Sequence, residues 1–305
     1  MKIEVNQKCR ELLSATMSIS DQEFDQLNFI PIKSGMTNTS FLFQTEENGK
    51  KYILRIPGPG ADKLINRSAE SEAYSAIKGK GICPDPMLLD ATSGIKLSEF
   101  LDDIHNCNPC RWDEVEKCMS LLKRFHKLKL SVSTIFDLQK QIDFYRSLFS
   151  MSRYEDYDKV RKDVNDIQPF IDRNRRPFQL CHIDSVADNF IFLKDGSVQL
   201  IDWEYASMQD PLVDIAAFAI YSNYDKEQSD RLIDVFFDGD SYTNTDRLLV
   251  YSYMACLGLL WSNWCEYKAC CGIEFGPYAN AQFSYAKLYS KLVKTKLMEN
   301  EHASC

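Results

Sequence analysis

The segment from Cys181 to Asp202 constrains this chain more than any other. It reads Cys181-His182-Ile183-Asp184-Ser185-Val186-Ala187-Asp188-Asn189, then Phe190-Ile191-Phe192-Leu193-Lys194-Asp195-Gly196-Ser197-Val198-Gln199-Leu200-Ile201-Asp202. Asp195-Gly196 between two apolar runs signals a hairpin with a two-residue turn. Such a turn pairs Lys194 with Ser197, and further out sets Phe190 opposite Ile201 and Asn189 opposite Asp202. Opposed residues of an antiparallel pair have Cβ atoms about 4.5–5.5 Å apart. An amide oxygen and a carboxylate are therefore expected to converge at the open end of the hairpin, with Asp184 in the loop just before it. Three oxygen-bearing side chains at one point suit Mg²⁺, which takes hard oxygen ligands and keeps waters and substrate phosphates. Asp, Asn and Gly also populate plain hairpins; the full spacing, with apolar strands between its parts, is what sets this segment apart.

Composition narrows the class of molecule. The 305 residues are 45% hydrophobic and 26% charged, enough for one large domain or two lobes. The net charge of −8 gives no general basic footprint for nucleic acid. No apolar run reaches the roughly 18–20 residues of a membrane span, and Met1 to Gln7 lacks the apolar core of a signal peptide. These features suggest a cytoplasmic enzyme, monomer or homodimer, with no nucleic-acid or membrane partner. The eleven cysteines are scattered and include the vicinal pair Cys270-Cys271, which fits free thiols in a reducing compartment. Cys107-x-x-Cys110 near His105 has a zinc-like spacing, but no second pair follows, so coincidence is favoured.

Along the chain, the first ~25 residues look helical. Phe29 to Phe43 reads as strand, polar turn, strand, with the turn from Ser34 to Thr39; Asn48-Gly49 marks a second hairpin, and Lys51 to Ile56 returns from it. A small turn containing Ser34, Gly35, Thr37 and Asn38 lets backbone N–H groups approach phosphate closely. Arg55 lies between Leu54 and Ile56, and a cation in an apolar strand needs a partner if buried. Glu70 or Glu72, on the amphipathic helix from about Asn66 to Ile77, is placed to supply one. Leu97 to Leu101 reads as an edge strand, and the polar stretch Asp102 to Pro109 as a linker. The expected division is therefore a small β-rich lobe, residues 1–101, and a larger, mainly helical lobe, residues 102–305. A helix from about Arg111 carries the stripe Val115, Met119, Leu122 and Phe125 or His126. Arg173 to Pro177 reads as a solvated turn, and after residue 211 helical patterns run to the end.

Phosphoryl transfer asks mainly for positioning and charge stabilisation. Asp184 is the candidate to accept the proton of an acceptor hydroxyl, and Asn189 and Asp202 are the candidate Mg²⁺ ligands. Asp188 is expected to point outward. Asp214, after Asp210-Pro211, is expected to cap its helix or hold the backbone of the Asp184 loop. The last third is rich in aromatics: Tyr205, Tyr221, Tyr224, Trp261, Trp264, Tyr267 and Tyr278. Trp261 and Trp264 share a helix face. Any one of these rings is unremarkable in a core, but together they suit a quaternary ammonium, which aromatic faces and nearby acids recognise. Glu204 and Tyr205 lie just after Asp202, next to the expected reacting centre.

Over nearly its full length the chain resembles the choline/ethanolamine kinases and their aminoglycoside-phosphotransferase relatives, most of all the bacterial choline kinases that supply phosphocholine for surface glycans. The resemblance rests on Ser34-Gly35-Met36-Thr37-Asn38, Leu54-Arg55-Ile56-Pro57-Gly58, and Ile65-Asn66-Arg67 with Glu70. It continues through His182-x-Asp184-x₄-Asn189, Ile201-Asp202-Trp203-Glu204-Tyr205 and Asp210-Pro211-x-x-Asp214. It ends on Gly258-Leu259-Leu260-Trp261-Ser262 and Glu274-Phe275-Gly276-x-Tyr278, which belong to the choline-kinase branch. It implies an α+β, two-lobed, protein-kinase-like fold and transfer of the γ-phosphoryl group of ATP to the hydroxyl of choline, with Mg²⁺. By resemblance Asp184 is the base, Asn189 and Asp202 hold the metal, and Arg55 takes the place of the protein-kinase lysine, with Glu70 as its partner. The backbone around Ser98 to Leu101, Ser98 and Phe100 included, matches the adenine-binding hinge; Tyr205, Tyr224, Trp261 and Tyr278 match cage positions. Two departures stand out. Ile183 replaces the Asn of many relatives, and Ala216 to Tyr221 lacks the cage acid of eukaryotic ones. Rival readings are a kinase for ethanolamine or an aminoglycoside, and a pseudokinase that binds without turnover.

Overall fold

The computed structural model describes residues 7–34, 38–45, 49–58 and 65–303. Gly35 and Thr37, expected at the phosphate-approaching turn, lie outside the described residues. The chain forms two compact units. One comprises the described residues through His105 together with Ile191–Tyr205; the other comprises Asn106–Phe190 and the residues from Ala206 onward. The boundary thus falls at His105 rather than Leu101, and the first unit also takes in most of the hairpin read from the sequence. A backbone bond from Leu200 N–H to the Ile82 carbonyl (2.8 Å) ties that hairpin to the unit.

In the first unit two helices, α1 (Gln7–Met17) and α2 (Asp21–Gln26), precede the sheet. Ser20 ends the break between them with a reciprocal capping box to Glu23. Strands β1 (Ile30–Ser34), β2 (Asn38–Gln44) and β3 (Lys51–Pro57) follow, then α3 (Arg67–Ile77), β4 (Leu88–Leu89) and β5 (Lys96–Glu99). Their order is β1-β2-β3-β5-β4, so β5, read from the sequence as an edge, is interior and the two-residue β4 takes the edge. Period-2 alternation explains what each face does. Phe41, Phe43, Tyr52, Leu54 and Leu97 pack with Cys9, Leu13 and Phe24 in one core, whereas Arg55, registered between Ser40 and Lys96, faces the other way. Asn66 caps α3 by accepting from Ala69 N–H, which fixes where Arg67 and Glu70 begin their turn.

The hairpin departs from its expected register. A three-stranded sheet joins β6 (His105–Asn106), β8 (Phe190–Phe192) and β9 (Val198–Leu200). Leu193, not Lys194, exchanges with Ser197: Leu193 N–H bonds the Ser197 carbonyl at 2.8 Å, and Gly196 N–H bonds the Leu193 carbonyl at 2.9 Å. Gly196 has φ +80, so the loop is a three-residue type I turn closed by a left-handed glycine rather than a two-residue turn. Asn189 lies in a 3-10 turn, Ala187–Asn189, and Asp202 lies beyond β9 at φ +69. Strand pairing therefore does not set Asn189 opposite Asp202.

The second unit is helical: α4 (Trp112–Lys127), α5 (Leu138–Ser147), α6 (Tyr157–Asp166), α7 (Gln168–Asn174), α8 (Leu212–Tyr221), α9 (Lys226–Phe237), α10 (Asn244–Cys270) and α11 (Pro277–Ala303), with β7 (Gln179–Cys181) paired to β10 (Ser207–Gln209). Val115, Met119, Leu122, Phe125 and His126, the expected stripe of α4, are all buried. Thr243 and Asp246 start α10 with a capping box. By length and composition α10 could cross a membrane, but its apolar stretch is wholly buried, packed on α5, α8 and α11. At Gly258 the α11 backbone comes close to α10. A Cβ there would meet the Gln282 carbonyl oxygen at 2.6 Å and Ala286 N at 2.8 Å.

Candidate active site

In the first unit, Arg55 forms a bidentate pair with Glu70, at 2.6 and 2.9 Å, and also donates to the Gly94 carbonyl at 3.1 Å. Glu72, the alternative partner, is not used. Burial opposes both charges, but mutual hydrogen bonding and attraction outweigh it. The Glu70 carboxyl lies below its ordinary value and the Arg55 guanidinium is held more firmly protonated. Arg67, unforeseen from the sequence, extends the network: it donates to Glu70 (2.9 Å), to Glu204 (3.3 Å) and to Asn38 Oδ1 (2.9 Å). Asn38 in turn donates to Glu204 at 2.8 Å. Glu204, expected beside an acceptor cation, is thus buried in an ion network with a residue of the expected phosphate turn. Asp202 is 41% exposed at its side chain, and its Oδ1 lies 3.8 Å from Arg55. Ser98 sits opposite Ile53 in β5. The Phe100 N–H is spent on the Lys51 carbonyl (2.9 Å). Ser34 ends β1, paired with Thr39; Tyr205 is half-buried at the end of the hairpin stretch.

In the second unit the loop from Cys181 to Asn189 is tied to α8. The Asp214 carboxylate accepts from His182 N–H at 3.0 Å and from Ile183 N–H at 2.7 Å, the loop-holding role expected of it. His126 Nε2 lies 2.8 Å from the same carboxylate. Cys181 Sγ completes a buried cluster whose ligand atoms lie within 4.8 Å of one another. With three N–H groups already on Asp214 and the thiol donating to the Gln209 carbonyl at 3.2 Å, this cluster is a brace rather than a metal centre. Asp188 is exposed, as expected. The Asn189 amide donates to the Asp184 carbonyl at 2.9 Å, which orients the group and leaves its oxygen as a lone-pair donor. That oxygen and the Asp202 carboxylate are hard donors of the kind Mg²⁺ takes.

The aromatic residues of this unit form a set around α8, α10 and α11. Tyr221 stacks on Tyr278 with centroids 6.1 Å apart and lies 6.0 Å from Trp261; Trp261 meets Trp264 edge-on at 6.4 Å; Phe275 lies 4.9 Å from Trp264 and 6.4 Å from Tyr278. The Tyr221 hydroxyl is turned toward Asp184 and the Tyr278 hydroxyl. Burial first, then the Asp184 charge, pushes its phenol far above the ordinary range; burial, Cys265 and Asp184 do the same to Tyr278. Both phenols therefore stay protonated, and Tyr221 is the donor toward Asp184. Lys268 Nζ lies 5.4 Å from the Trp264 ring centroid, so one face of that ring already carries a cation. Tyr224 is not in this set. It is buried against Trp112 (5.4 Å), and its hydroxyl donates to the Pro109 carbonyl at 2.5 Å. The reason is local: α8 ends at Tyr221 and Asn223 has φ +54, so helical spacing no longer governs residue 224.

The family model described as choline/ethanolamine kinase matches residues 29–248. The chain is 30% identical over 278 residues to the protein LicA of Haemophilus influenzae, spanning 82% of this chain and 77% of that one. The chain belongs to the choline/ethanolamine kinase family. Its fold matches the crystal structure of the choline kinase LicA from Streptococcus pneumoniae with a TM-score of 0.77 at 26% identity, over 93% of this chain and 99% of that one, and LicA in complex with AMP equally well. A thermostable mutant of the aminoglycoside phosphotransferase APH(4)-Ia shares the fold at a TM-score of 0.61 and 13% identity, over 89% of this chain and 95% of that one.

This family member therefore has the α+β, protein-kinase-like fold, with a small β-rich unit and a larger helical one. It is a small-molecule phosphotransferase, a kinase acting on choline-like alcohols. From the sequence Tyr221 is one aromatic among seven, with no role assigned beside Asp184. Arg67 belonged to a quoted motif, but nothing in a linear pattern says that it bridges two carboxylates 134 positions apart.

Proposed function

We propose that this kinase transfers the γ-phosphoryl group of ATP to the hydroxyl of choline, giving phosphocholine. The observation that carries the reading is the aromatic set Tyr221, Trp261, Trp264, Phe275 and Tyr278, with the Tyr221 phenol turned toward Asp184. A quaternary ammonium cannot donate N–H bonds, so ring faces recognise it; the amines of ethanolamine and aminoglycosides ask for hydrogen-bond acceptors as well. Asp184 takes the hydroxyl proton as the new P–O bond forms. The Arg55–Glu70 pair orients the nucleotide phosphates. In this reading the Asn189 amide oxygen and the Asp202 carboxylate would hold Mg²⁺, which would neutralise charge on the transferring phosphates.

A coupled ADP-release assay with ATP and Mg²⁺ tests this, comparing choline, ethanolamine and an aminoglycoside at equal concentration. Strong preference for choline is expected. Preference for another acceptor removes the aromatic-cage reading, and release that no acceptor stimulates removes the kinase assignment of the site.

A further inference from the structure

The Cys107-x-x-Cys110 spacing has no second pair to complete a zinc site, but the fold gives it another partner. Cys118, in the second turn of α4, is fully buried, Cys107 is 4% exposed, and the two thiols lie within hydrogen-bonding reach of each other. Cys110 is exposed. The loop that carries Cys107 and Cys110 is pinned. Asn108 N–H donates to the Glu114 carboxylate at 2.8 Å, Cys110 N–H to Asn108 Oδ1 at 3.0 Å, and the Tyr224 hydroxyl to the Pro109 carbonyl at 2.5 Å. One thiol is therefore held outside and one inside. Burial first, then the bond to Cys107, pushes the Cys118 thiol up, and a buried, protonated thiol does not meet an oxidant from solution directly. Among the described residues these three sulfurs do not converge as one ligand set, so the arrangement suits thiol exchange rather than a metal. The same loop abuts the turn that carries Asn189. Cys107 N–H donates to the Phe190 carbonyl at 2.9 Å, and the Asn106 side-chain amide donates to the Asp188 carbonyl. Both neighbours of Asn189 are thus held by Asn106 and Cys107.

We propose that Cys107 and Cys118 form a reversible disulfide, reached through Cys110, that shifts the turn carrying Asn189. The oxidant is a small-molecule disulfide. The Cys110 thiolate attacks one of its sulfurs, forming a mixed disulfide and releasing one thiolate. The Cys107 thiolate attacks Cys110 Sγ and releases the second. Cys118 then attacks Cys107 Sγ; the bond to Cys110 breaks, and the Cys118 proton passes to the leaving Cys110 sulfur. Two protein thiols are oxidised to one disulfide, and one small disulfide is reduced to two thiols. A disulfide sets its sulfurs about 2.05 Å apart, closer than a hydrogen bond does. Cys118 is fixed within α4, so the Cys107 backbone makes the movement, and its bond to Phe190 weakens. The effect on turnover rests on Asn189 belonging to the reacting centre; the disulfide itself does not.

The test treats the reduced full-length chain with oxidised glutathione and maps its disulfides by mass spectrometry. It is run on the wild type and on Cys270→Ser/Cys271→Ser, since those two thiols are also exposed. A Cys107–Cys118 bond should appear in both. Cys110→Ser should slow its formation at least tenfold, and Cys118→Ala should stop the sequence at a Cys107–Cys110 bond. In the oxidised protein, amide exchange at Cys107 should quicken at least tenfold, and kcat should fall by about 3–30-fold, the scale of a small misplacement at a reacting centre. Dithiothreitol should restore both. Free thiols at 107 and 118 after treatment, a stable bond to any other cysteine in their place, or equally fast formation without Cys110 overturns the site. Unchanged exchange and kcat in the oxidised protein overturn the switch. If Cys118→Ala does not fold, Cys118→Ser takes its place. A reduced wild type that phosphorylates no alcohol would remove the kinase reading, while the disulfide map and the exchange measurement would still decide this proposal.

Discussion

Replacing Gly258 by alanine should reverse the usual sign of a glycine-to-alanine change in a helix. In an exposed helix interior alanine is favoured by about 1 kcal/mol. At position 258 the new methyl meets the Gln282 carbonyl at 2.6 Å, Ala286 N at 2.8 Å and the Tyr285 Cβ at 3.0 Å. The first two obstacles are backbone, so no rotamer change relieves them. Helix α11 must retreat by most of an ångström, and overpacking of that kind costs about 1–3 kcal/mol. With both nearest obstacles backbone, the upper part of that range applies, about 2–3 kcal/mol. After the propensity gain of about 1 kcal/mol, a net loss of about 1–2 kcal/mol remains, a fall in Tm of about 2–8 °C for a unit of this size. Trp261 and Trp264 lie on α10 and Tyr278 on α11, so the retreat should also widen the aromatic set and raise the KM for the acceptor more than that for the nucleotide. A thermal melt followed by tryptophan fluorescence, with steady-state kinetics on both substrates, reads both effects. An unchanged or raised Tm would refute the close-approach account of this glycine.

Other substitutions separate the parts of the site. Glu70→Gln removes the carboxylate from buried Arg55 and should destabilise by about 3–5 kcal/mol at neutral pH, measured by denaturant titration. The Glu70 carboxyl lies below its ordinary value in the fold because Arg55 pairing outweighs burial. Its contribution is therefore complete above the unfolded-state value of about 4.3 and is lost as pH falls through the lower folded value. The acid limb of Tm against pH should accordingly be flatter in Glu70→Gln below about pH 4. Asp184→Asn should cut kcat by about 10²–10⁴-fold, the usual scale for removing a general base, while nucleotide binding by calorimetry stays near wild type. Trp261→Ala should raise the KM for choline by roughly tenfold or less, the scale of one cation–π contact, and leave the KM for ATP nearly unchanged.

The places where sequence and structure part company share a cause. Asp195-Gly196 was a sound hairpin signal, yet the glycine closes a three-residue loop, because a left-handed glycine serves either turn and sequence alone does not choose. Tyr224 was legible as an aromatic near the acceptor motifs, but the helix ends three residues earlier and the ring turns inward to Trp112. Glu204 was legible as an acid beside Asp202, but two donors from elsewhere in the chain, Asn38 and Arg67, claim it.

What the sequence by itself determined is the set of chemical parts and their local frames. The Asp184-to-Asn189 loop, the hairpin after it, the need of Arg55 for an acid, and the shared face of Trp261 and Trp264 all follow from spacings of a few residues, where backbone geometry is nearly fixed. Only the tertiary structure decided which distant groups meet: that Glu70 rather than Glu72 answers Arg55, that Tyr221 rather than Tyr224 faces Asp184, and that His126 reaches Asp214 across 88 positions. These choices depend on how helices and strands pack. Packing is set by the summed fit of many side chains, which no local spacing encodes.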